Sequence, residues 1–243
     1  MSKKLKKDLL IKVKRAIGDF NMIKDGDKVA VGVSGGKDSL TCLYALKELQ
    51  AILPVKYELH AVVIDLGWSN KQADWSKISE FCNNNNIKLH IEKTDIAKIV
   101  FDHRQESNPC SLCSRMRNGA LMNVAIREGF NIMALGHHLD DAIETLLMSM
   151  FFSGKIDCYY PSTYLDRQKI TMIRPLVYVR EEVTIKLSKS LELPVTNQKF
   201  CPADGHTKRE YVKKLLAEQA EHDTHIPLRV FSALKSFWND KKK

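Results

Sequence analysis

Lys28-Val-Ala-Val-Gly-Val-Ser-Gly-Gly-Lys-Asp-Ser39 is the stretch of sequence that decides the fold. After Lys28 comes a short apolar run, residues 29–33, as expected of a strand that is buried on both faces of a sheet. The next six residues are polar and rich in glycine, and an amphipathic helix follows them. The apolar stripe of that helix recurs at spacings of four, three and four: Cys42, Leu46, Leu49 and Leu53. A strand, a glycine-rich turn and a helix in this order predict a parallel α/β sheet.

Four more short apolar runs alternate with amphipathic stretches along the chain. They predict further strands at Tyr57–Asp65, Leu89–Thr94, Ile132–Gly136 and Thr171–Leu176. We therefore expect a doubly wound α/β fold, with a five-stranded parallel sheet between two layers of helices. Ligands of such sheets bind beyond the carboxyl ends of the strands, so functional residues are expected after Val33, Asp65 and Gly136.

The chain is long and apolar enough to bury a full core, with 243 residues of which 44% are hydrophobic. We expect a basic helix in residues 1–25, one main domain in residues 26–195 and a helical tail in residues 196–243. No apolar run reaches the roughly 18 residues that span a bilayer, and the N-terminus lacks the apolar core of a signal peptide. The sequence thus predicts a cytoplasmic protein without a membrane partner.

The formal net charge of +9 is concentrated near the two ends of the chain. The first group of cations comprises Lys3, Lys4, Lys6, Lys7, Lys12, Lys14 and Arg15, and the second comprises Lys208, Arg209, Lys213, Lys214 and residues 241–243. A polyanion is one partner that such groups predict. Two solvated helix faces would produce the same pattern, so charge alone leaves both interpretations open.

The turn Ser34-Gly35-Gly36-Lys37-Asp38-Ser39 has the features of a phosphate loop. It lies between a strand and a helix, where backbone amides can converge on an anion, and its adjacent glycines allow phosphate to approach the backbone. The spacing differs from the Walker A motif and from the dinucleotide-binding glycine pattern. An ordinary turn with a serine cap would explain Ser34 or Gly35, but not the whole hexapeptide.

A second motif, Gly136-His-His-Leu-Asp140-Asp141, lies where a predicted strand ends and a helix begins. Carboxylates at this point suit a magnesium ion or the orientation of a base under attack. Capping of the helix is the alternative, and it explains Asp140 more readily than Asp141 because a pair exceeds what one cap requires.

Three of the six cysteines suggest a metal site. Cys110 and Cys113 form a C-x-x-C pair, and Cys201 lies far downstream. With these three ligands, one iron of a 4Fe-4S cluster would stay open to sulfide or substrate. A structural zinc site with His206 as fourth ligand and a redox or persulfide pair at Cys110 and Cys113 remain alternatives. Inert core thiols fit this polar segment least well.

The other three cysteines are interpreted by their surroundings. Cys42 and Cys82 lie on apolar helical stripes and are predicted to be core residues. Cys158 belongs to no pattern, and either a structural role or a spare sulfur-carrying thiol fits it.

The phosphate loop resembles the PP-loop of the N-type ATP pyrophosphatases, and the second motif resembles its companion in that superfamily. Two further segments, Pro109-Cys-x-x-Cys-Ser-Arg115 and Arg174-Pro-Leu-Val-Tyr-Val-Arg-Glu181, follow in the same order as in a known family. Together the motifs resemble the tRNA 2-thiocytidine synthetase family and its thiouridine-forming relatives, over roughly Val29 to Cys201. The resemblance implies a HUP-type sheet and makes residues 26–195 the ATP pyrophosphatase domain.

The resemblance also implies a reaction and roles for residues. ATP would be cleaved between its α and β phosphates, and an anticodon-loop cytidine would be adenylated before sulfur replaces its oxygen. ATP and magnesium would be held by Ser34, Gly35, Gly36, Lys37, Asp38, Ser39, Ile64, Gly136, His137, Asp140 and Asp141. Lys37, Asp38, Asp141 and Arg117 would be catalytic, and Cys110, Cys113 and Cys201 would hold the 4Fe-4S cluster.

Arg117 is assigned by its spacing. It lies four residues after Cys113, on the same face of the following helix, where a cation can steady adenylate or sulfide charge. An ordinary solvated arginine is the alternative.

Two departures from the family pattern leave the modified base open. The context Cys201-Pro-Ala-Asp-Gly205 differs from the usual Cys-Asn-Leu-Cys-Gly, and the zinc-finger cysteines of the thiouridine-forming branch are absent from the sequence. A thiouridine-forming or desulfurating enzyme acting on tRNA or a small molecule is therefore an alternative. A non-catalytic, nucleotide-binding iron-sulfur sensor is another.

The expected partners follow from the implied reaction. They are tRNA, gripped at its phosphates by Lys208, Arg209, Lys213 and Lys214, and a sulfur donor such as a cysteine desulfurase or free sulfide. A homodimer is also expected.

Overall fold

The computed structural model of the chain describes residues 2–68, 73–104, 109–196, 201–202 and 207–240. Within these residues, six strands form one sheet: β1 (Asp27–Gly32), β2 (Tyr57–Asp65), β3 (Lys88–Lys93), β4 (Ile132–Ala134), β5 (Ser162–Leu165) and β6 (Ile170–Ile173). Their order across the sheet is β3-β2-β1-β4-β6-β5.

Eight α-helices are found in the same described ranges: α1 (Ser2–Asp19), α2 (Lys37–Leu49), α3 (Ser76–Asn84), α4 (Pro109–Glu128), α5 (Leu139–Ser153), α6 (Glu181–Ser190), α7 (Lys208–His222) and α8 (Ile226–Asp240). A π-helical segment, Lys98–Arg104, precedes α4. None of the helices in these ranges combines the length and the apolar character that crossing a bilayer requires.

The predicted doubly wound α/β fold is confirmed, with one strand more than the five expected. β1, β2, β3, β4 and β6 pair in parallel, and each corresponds to a predicted strand. The sixth strand, β5, pairs antiparallel with β6 at the edge of the sheet. The sequence does not indicate β5, because this strand has only four residues and none of them is fully buried, so it contains no apolar run.

The order of the strands creates a crevice beside β1. β2 pairs with one edge of β1 and β4 with the other, so the connections from these strands leave in opposite directions. Ligand sites of open α/β sheets form at such a switch point, beyond the carboxyl ends of the strands. The fold therefore places the residues after Gly32 and Ala134 at the expected site.

Helices cover both faces of the sheet. On one face, α1 buries Leu9 and Val13, and α8 buries Leu234 and Trp238, in the core that α2 and α5 share. On the other face, α4 packs Leu121 against the second core. The terminal helices thus belong to the packed body of the protein, and the boundaries at residues 25 and 195 stay a prediction.

Candidate functional site

A pocket with a volume of about 490 Å³ opens at the carboxyl ends of β1, β2 and β4. This volume lies within the usual range of small-molecule sites. Its walls include apolar side chains from both sides of the crevice, among them Val62, Leu121 and Leu135. Most of the residues predicted for the site line this one pocket: Ser34, Asp38, Ser39, Ile64, Arg117, Gly136, His137, Asp141 and Cys201.

The phosphate loop is held by its own serines. Ser34 N donates to Ser39 Oγ over 3.1 Å, and Ser39 Oγ donates to Gly36 O over 2.9 Å. Gly36 is the N-cap residue of α2, and no side chain caps this helix end. Uncapped amides at a helix N-terminus favour an anion. The loop itself lies at the pocket, although Gly35 and Gly36 are not among the lining residues.

Lys37 is directed into an ionic cluster beside the pocket. Its Nζ lies 2.8 Å from Asp38 Oδ2 and 3.0 Å from Glu181 Oε1, and Lys213 Nζ lies 2.6 Å from Glu181 Oε2. Burial opposes the charge of Lys37, but hydrogen bonds to Asp38 and Glu181 outweigh it and raise the pKa of Lys37. Burial also opposes the charge of Glu181, but Lys213 and Lys37 lower the pKa of Glu181 to about 2. Lys37 and Glu181 are therefore both charged at neutral pH.

The two aspartates of the second motif form different contacts. His138 caps α5, where His138 N donates to Asp141 Oδ2 over 3.0 Å and Asp141 N donates to His138 Nδ1 over 3.2 Å. Asp140 instead accepts from Arg180 Nε over 2.9 Å and from Glu181 N over 2.7 Å. The capping alternative that fitted Asp140 better thus applies to Asp141, which also lines the pocket. Asp140 joins the start of α6 to the start of α5 and is not among the lining residues.

Gly136 lies where the backbone of the β4–α5 turn comes very close to the backbone of the first turn of α2. A Cβ atom at this position would lie 2.8 Å from Ser39 Cα and from Ser39 N, and 2.8 Å from the carbonyl carbon of Asp38. The β4–α5 turn is thereby packed directly on the first turn of α2. Gly136 therefore makes room for the phosphate loop, and it also lines the pocket.

His137 is supported by an aromatic stack behind the pocket. Its ring stacks on Tyr159 with centroids 5.1 Å apart, and Arg174 Cζ lies 4.4 Å from the centroid of Tyr159. Burial, with the nearby Arg174 charge, lowers the pKa of His137 to about 4. His137 is therefore neutral at physiological pH. No local pattern predicts this stack, because its members are distant from one another in the chain.

The three predicted cluster cysteines are free thiols at or near the pocket mouth. Cys113 is half-buried, whereas Cys110 and Cys201 are exposed, and only Cys201 is among the lining residues. Burial raises the pKa of Cys113, Arg117 opposes this, and Cys201 and Cys110 reinforce it. The pKa of Cys113 therefore depends on Arg117 and on both of the other cysteines.

The cysteines do not form a ready-made metal site. In the part of the chain that the structure describes, no three His, Cys, Asp or Glu side chains converge on a point that a metal ion could occupy. Thiolates are nevertheless the ligands that iron-sulfur clusters use, and an adjacent cation favours them, so the residues fit such a group chemically. His206, the proposed zinc ligand, lies outside the described residues.

The remaining cysteines are structural. Cys42 and Cys82 are buried in the core, which confirms the prediction for both. Cys158 is also buried, and its Sγ lies 3.4 Å from Ala142 O as a donor. Of the two interpretations left open for Cys158, the geometry favours the structural one.

Comparisons with known proteins agree with the geometry. Residues 5–200 match the PP-loop domain family. The tRNA-cytidine(32) 2-sulfurtransferase of Geotalea daltonii is 41% identical over 226 residues, covering 92% of this chain and 88% of that protein. The protein of the same name from Citrifermentans bemidjiense is 43% identical over 218 residues, covering 88% and 84%. The chain belongs to the tRNA 2-thiocytidine synthetase family of PP-loop proteins.

A solved structure supports the fold of this PP-loop protein. The U34-tRNA thiolase NcsA from Methanococcus maripaludis, solved with its 4Fe-4S cluster, gives a TM-score of 0.81. The match covers 98% of this chain and 80% of that chain at 24% identity. At this identity the likeness shows the shared fold alone.

The PP-loop site also includes residues that sequence reasoning assigned elsewhere or missed. Arg209 Nη1 donates to Asp141 Oδ1 over 3.0 Å, and Arg209 Nη2 donates to Thr145 Oγ1 over 3.2 Å. Arg209 Nε lies 3.7 Å from Glu144 Oε2, and burial raises the pKa of Glu144 to about 7 against the opposing Arg209 charge. Arg209 and Lys213 pair with acids of the domain, and the expectation that both grip tRNA phosphates stays a prediction. Arg209 and Lys213 are four residues apart, and this spacing in the sequence indicates that they share one face of α7.

The phosphate loop of this PP-loop protein is joined to the segment that leads to Cys201. Thr196 N donates to Gly35 O over 2.9 Å. Gly35 has a φ of +82°, and a Cβ atom there would overlap Thr196 Oγ1. Glycine at this position therefore meets two demands, the left-handed backbone and the close approach of residue 196.

Proposed function

We propose that this chain is an ATP-dependent tRNA sulfur transferase that adenylates an anticodon-loop cytidine and replaces its carbonyl oxygen by sulfur, giving 2-thiocytidine. The observation that carries this proposal is one pocket lined by the phosphate loop, Asp141, Arg117 and Cys201. Relatives named for sulfur transfer to cytidine 32 of tRNA, aligned over most of their own length, support the choice of base. These relatives favour the formation of 2-thiocytidine over a thiouridine-forming enzyme, a desulfurating enzyme, an enzyme acting on a small molecule and a non-catalytic sensor.

ATP lies with its phosphates at the loop from Ser34 to Ser39 and with its base against the apolar wall that includes Ile64. The uncapped amides of α2 bind the phosphate oxygens. Asp38 and Asp141 face the same cavity, and two carboxylates suit the hard magnesium ion that accompanies ATP. Lys37 supplies the cation of the loop and holds Asp38 over 2.8 Å. Asp140 anchors α6 and His137 forms a neutral wall of the pocket.

The first chemical step activates the base. The carbonyl oxygen of the cytidine attacks the α-phosphorus of ATP, the α–β anhydride bond breaks, and pyrophosphate leaves with the electron pair. Negative charge grows on the phosphate oxygens during this step. The amides of α2 and the Arg117 guanidinium at the pocket stabilise that charge, and Lys37 adds a further cation from the ionic cluster beside the pocket.

The second step exchanges oxygen for sulfur. A sulfide nucleophile attacks the activated ring carbon, the carbon–oxygen bond breaks, and AMP leaves with the oxygen. Cys110, Cys113 and Cys201 would hold an iron-sulfur cluster, which with three protein ligands leaves one iron open to sulfide. Arg117 lies at the pocket and acts on the Cys113 thiol, so it is suited to steady a sulfur anion. A cysteine desulfurase or free sulfide as donor, a cytoplasmic location and a homodimer belong to the same proposal.

Nucleoside mass spectrometry tests the proposal directly. Unthiolated tRNA is incubated anaerobically with iron-reconstituted protein, ATP, magnesium and sulfide, then digested and analysed. We expect 2-thiocytidine, and no product when ATP is omitted or when Asp38→Asn replaces the wild-type protein. Thiouridine in place of 2-thiocytidine would keep the chemistry and change the base. The absence of any thionucleoside with a loaded cluster would contradict the proposal.

A further inference from the structure

An exposed aromatic surface lies along α5 and α7, beside the pocket but outside it. We define the α5–α7 surface by Met150, Phe151, Phe152, Ile156, Lys208 and Tyr211. Phe151 is 50% exposed, Phe152 is 41% exposed and Tyr211 is 61% exposed. Large apolar side chains that cluster on a surface mark an interaction site, since scattered ones would need no explanation.

The rings of this surface are arranged for contact with a flat, charged partner. Phe152 and Tyr211 meet edge to face with centroids 6.2 Å apart, and Lys208 Nζ stands 4.8 Å from the centroid of Phe152. α5 ends at Ser153 and is followed by Gly154 in the left-handed conformation, and the chain from residue 151 to residue 157 is exposed. The helix end therefore presents its rings outward instead of packing them on the core.

The α5–α7 surface is physically continuous with the pocket. Asp141, Thr145 and Phe152 lie on one stripe of α5, at spacings of four and seven residues. Arg209 binds the first two of these residues, while the adjacent Lys208 lies over the third. The helical rise places Phe152 roughly 16 Å along α5 from the pocket wall.

Charge decides which partner fits. Lys208 stands over the ring of Phe152, and Lys155 just after α5 and Lys214 on α7 are also exposed. Within the described residues, none of these three lysines forms an ion pair within 4.0 Å. Glu210, the acid next to Lys208 on α7, is held in the cap of the helix by Thr207 N over 2.8 Å. Nucleic acid uses both features, because bases stack on rings and phosphates pair with lysines.

We infer that the α5–α7 surface binds the substrate RNA, with unpaired bases stacked on Phe152 and Tyr211 and phosphate held by Lys208. This inference rests on the proposed tRNA substrate and specifies where that tRNA lies. An RNA whose reacting base enters the pocket continues over this surface. The side chains involved leave the phosphate loop and the cysteines untouched.

Filter binding of an unmodified tRNA transcript to full-length variants tests the inference. We expect Phe152→Ala and Tyr211→Ala each to weaken binding by about fivefold or more, with unchanged ATP affinity. Lys208→Gln should lower the slope of log affinity against log salt by about one, which the aromatic variants should not do. Ile126→Ala, on α4 across the sheet, and Lys56→Gln, before β2 at the opposite end of the strands, are matched exposed controls that should bind as the wild type does.

The possible outcomes separate the two proposals. If the wild-type protein binds tRNA and all three surface variants bind it equally well, the α5–α7 surface is not the RNA site. If the same variants instead convert a dimer to a monomer in sedimentation with tRNA affinity unchanged, the partner is a second copy and the inference fails. A wild-type protein without affinity for tRNA would overturn this inference and the proposed function together.

Discussion

Arg209 on α7 donates a hydrogen bond to Asp141 on α5, with 3.0 Å between Nη1 and Oδ1. Asp141 lines the pocket, and α7 begins seven residues after Cys201, so this contact fastens the C-terminal part of the chain to the nucleotide side of the site. A residue distant in sequence thus takes part in the geometry of the pocket without lining it.

Arg209→Gln should impair sulfur transfer much more than folding. The variant loses the contacts with Asp141, Thr145 and Glu144, so α7 is held less firmly beside the pocket. Because the guanidinium is partly exposed, we expect a loss of only about 1 kcal/mol in unfolding free energy. We expect a fall of at least about tenfold in kcat for 2-thiocytidine formation.

Denaturant unfolding and single-turnover thiolation measure the two effects. Arg229→Gln on α8, which breaks an exposed ion pair with Asp223 just after α7, is the matched control. Equal rates for Arg209→Gln and the control would show that the α7 contact does not matter for catalysis.

Gly136→Ala should abolish ATP binding. The new Cβ would lie 2.8 Å from the backbone at Asp38 and Ser39, so the phosphate loop or the β4–α5 turn must shift. Gly119→Ala is the control, because Gly119 lies inside α4 and its Cβ would meet nothing within 4 Å. That control should gain about 0.5–1 kcal/mol in stability through helix propensity. Isothermal titration with a non-hydrolysable ATP analogue provides the measurement, and tight binding by Gly136→Ala would refute the close-packing argument.

Glu144→Gln should change how stability depends on pH. Burial raises the pKa of Glu144 in the folded protein from 4.5 to about 7, so the folded state holds a proton that the unfolded state releases. The stability that this group contributes is fully present below pH 4.5 and is lost as the pH rises through about 7. The loss is on the order of 3 kcal/mol, and it should be absent from the glutamine variant.

Urea unfolding at several pH values between 4.5 and 8 tests this assignment. The unfolding free energy of Glu144→Gln relative to the wild type should rise with pH over that window. Glu181→Gln is the contrasting control, because Lys213 and Lys37 hold the pKa of Glu181 at about 2 despite burial. The difference in unfolding free energy between Glu181→Gln and the wild type should therefore be constant above pH 4.5. A flat difference for Glu144→Gln would mean that Arg209 keeps the carboxylate charged.

Cys201→Ala should separate the two halves of the reaction. Cys201 lines the pocket, but it belongs to neither the phosphate loop nor the second motif. We expect the variant to bind ATP normally, to lose the brown colour of a reconstituted cluster and to form no 2-thiocytidine. Cys158→Ala is the control, because this buried thiol faces Ala142 O and should affect stability alone. Thiolation by Cys201→Ala would be incompatible with the three-cysteine assignment.

Local sequence was sufficient for the central strands and the phosphate loop. Val29 and Val31 lie in a buried apolar run that the glycine-rich turn follows directly. This short-range pattern is enough to predict β1 and the phosphate loop. β5 escaped prediction because its side chains are only partly buried and its pairing depends on β6. Edge strands carry a weak apolar signal for this physical reason.

Pairwise contacts across the fold were beyond sequence reasoning. Asp140 and Asp141 are adjacent and chemically identical, yet Asp140 binds Arg180, whereas Asp141 binds Arg209 and accepts from the backbone N–H of His138, the N-cap residue of α5. Nothing in the local pattern distinguishes them, because the difference arises from where α6 and α7 return to the sheet. For the same reason the Tyr159 and Arg174 support of His137 could not be predicted.

The hydrogen bond from Thr196 to Gly35 links two positions that are 161 residues apart in the chain. A Cβ atom on residue 35 would overlap Thr196 Oγ1, so residue 35 cannot gain a side chain while Thr196 keeps its present position. The shape of the phosphate loop therefore depends on a residue that lies five positions ahead of Cys201.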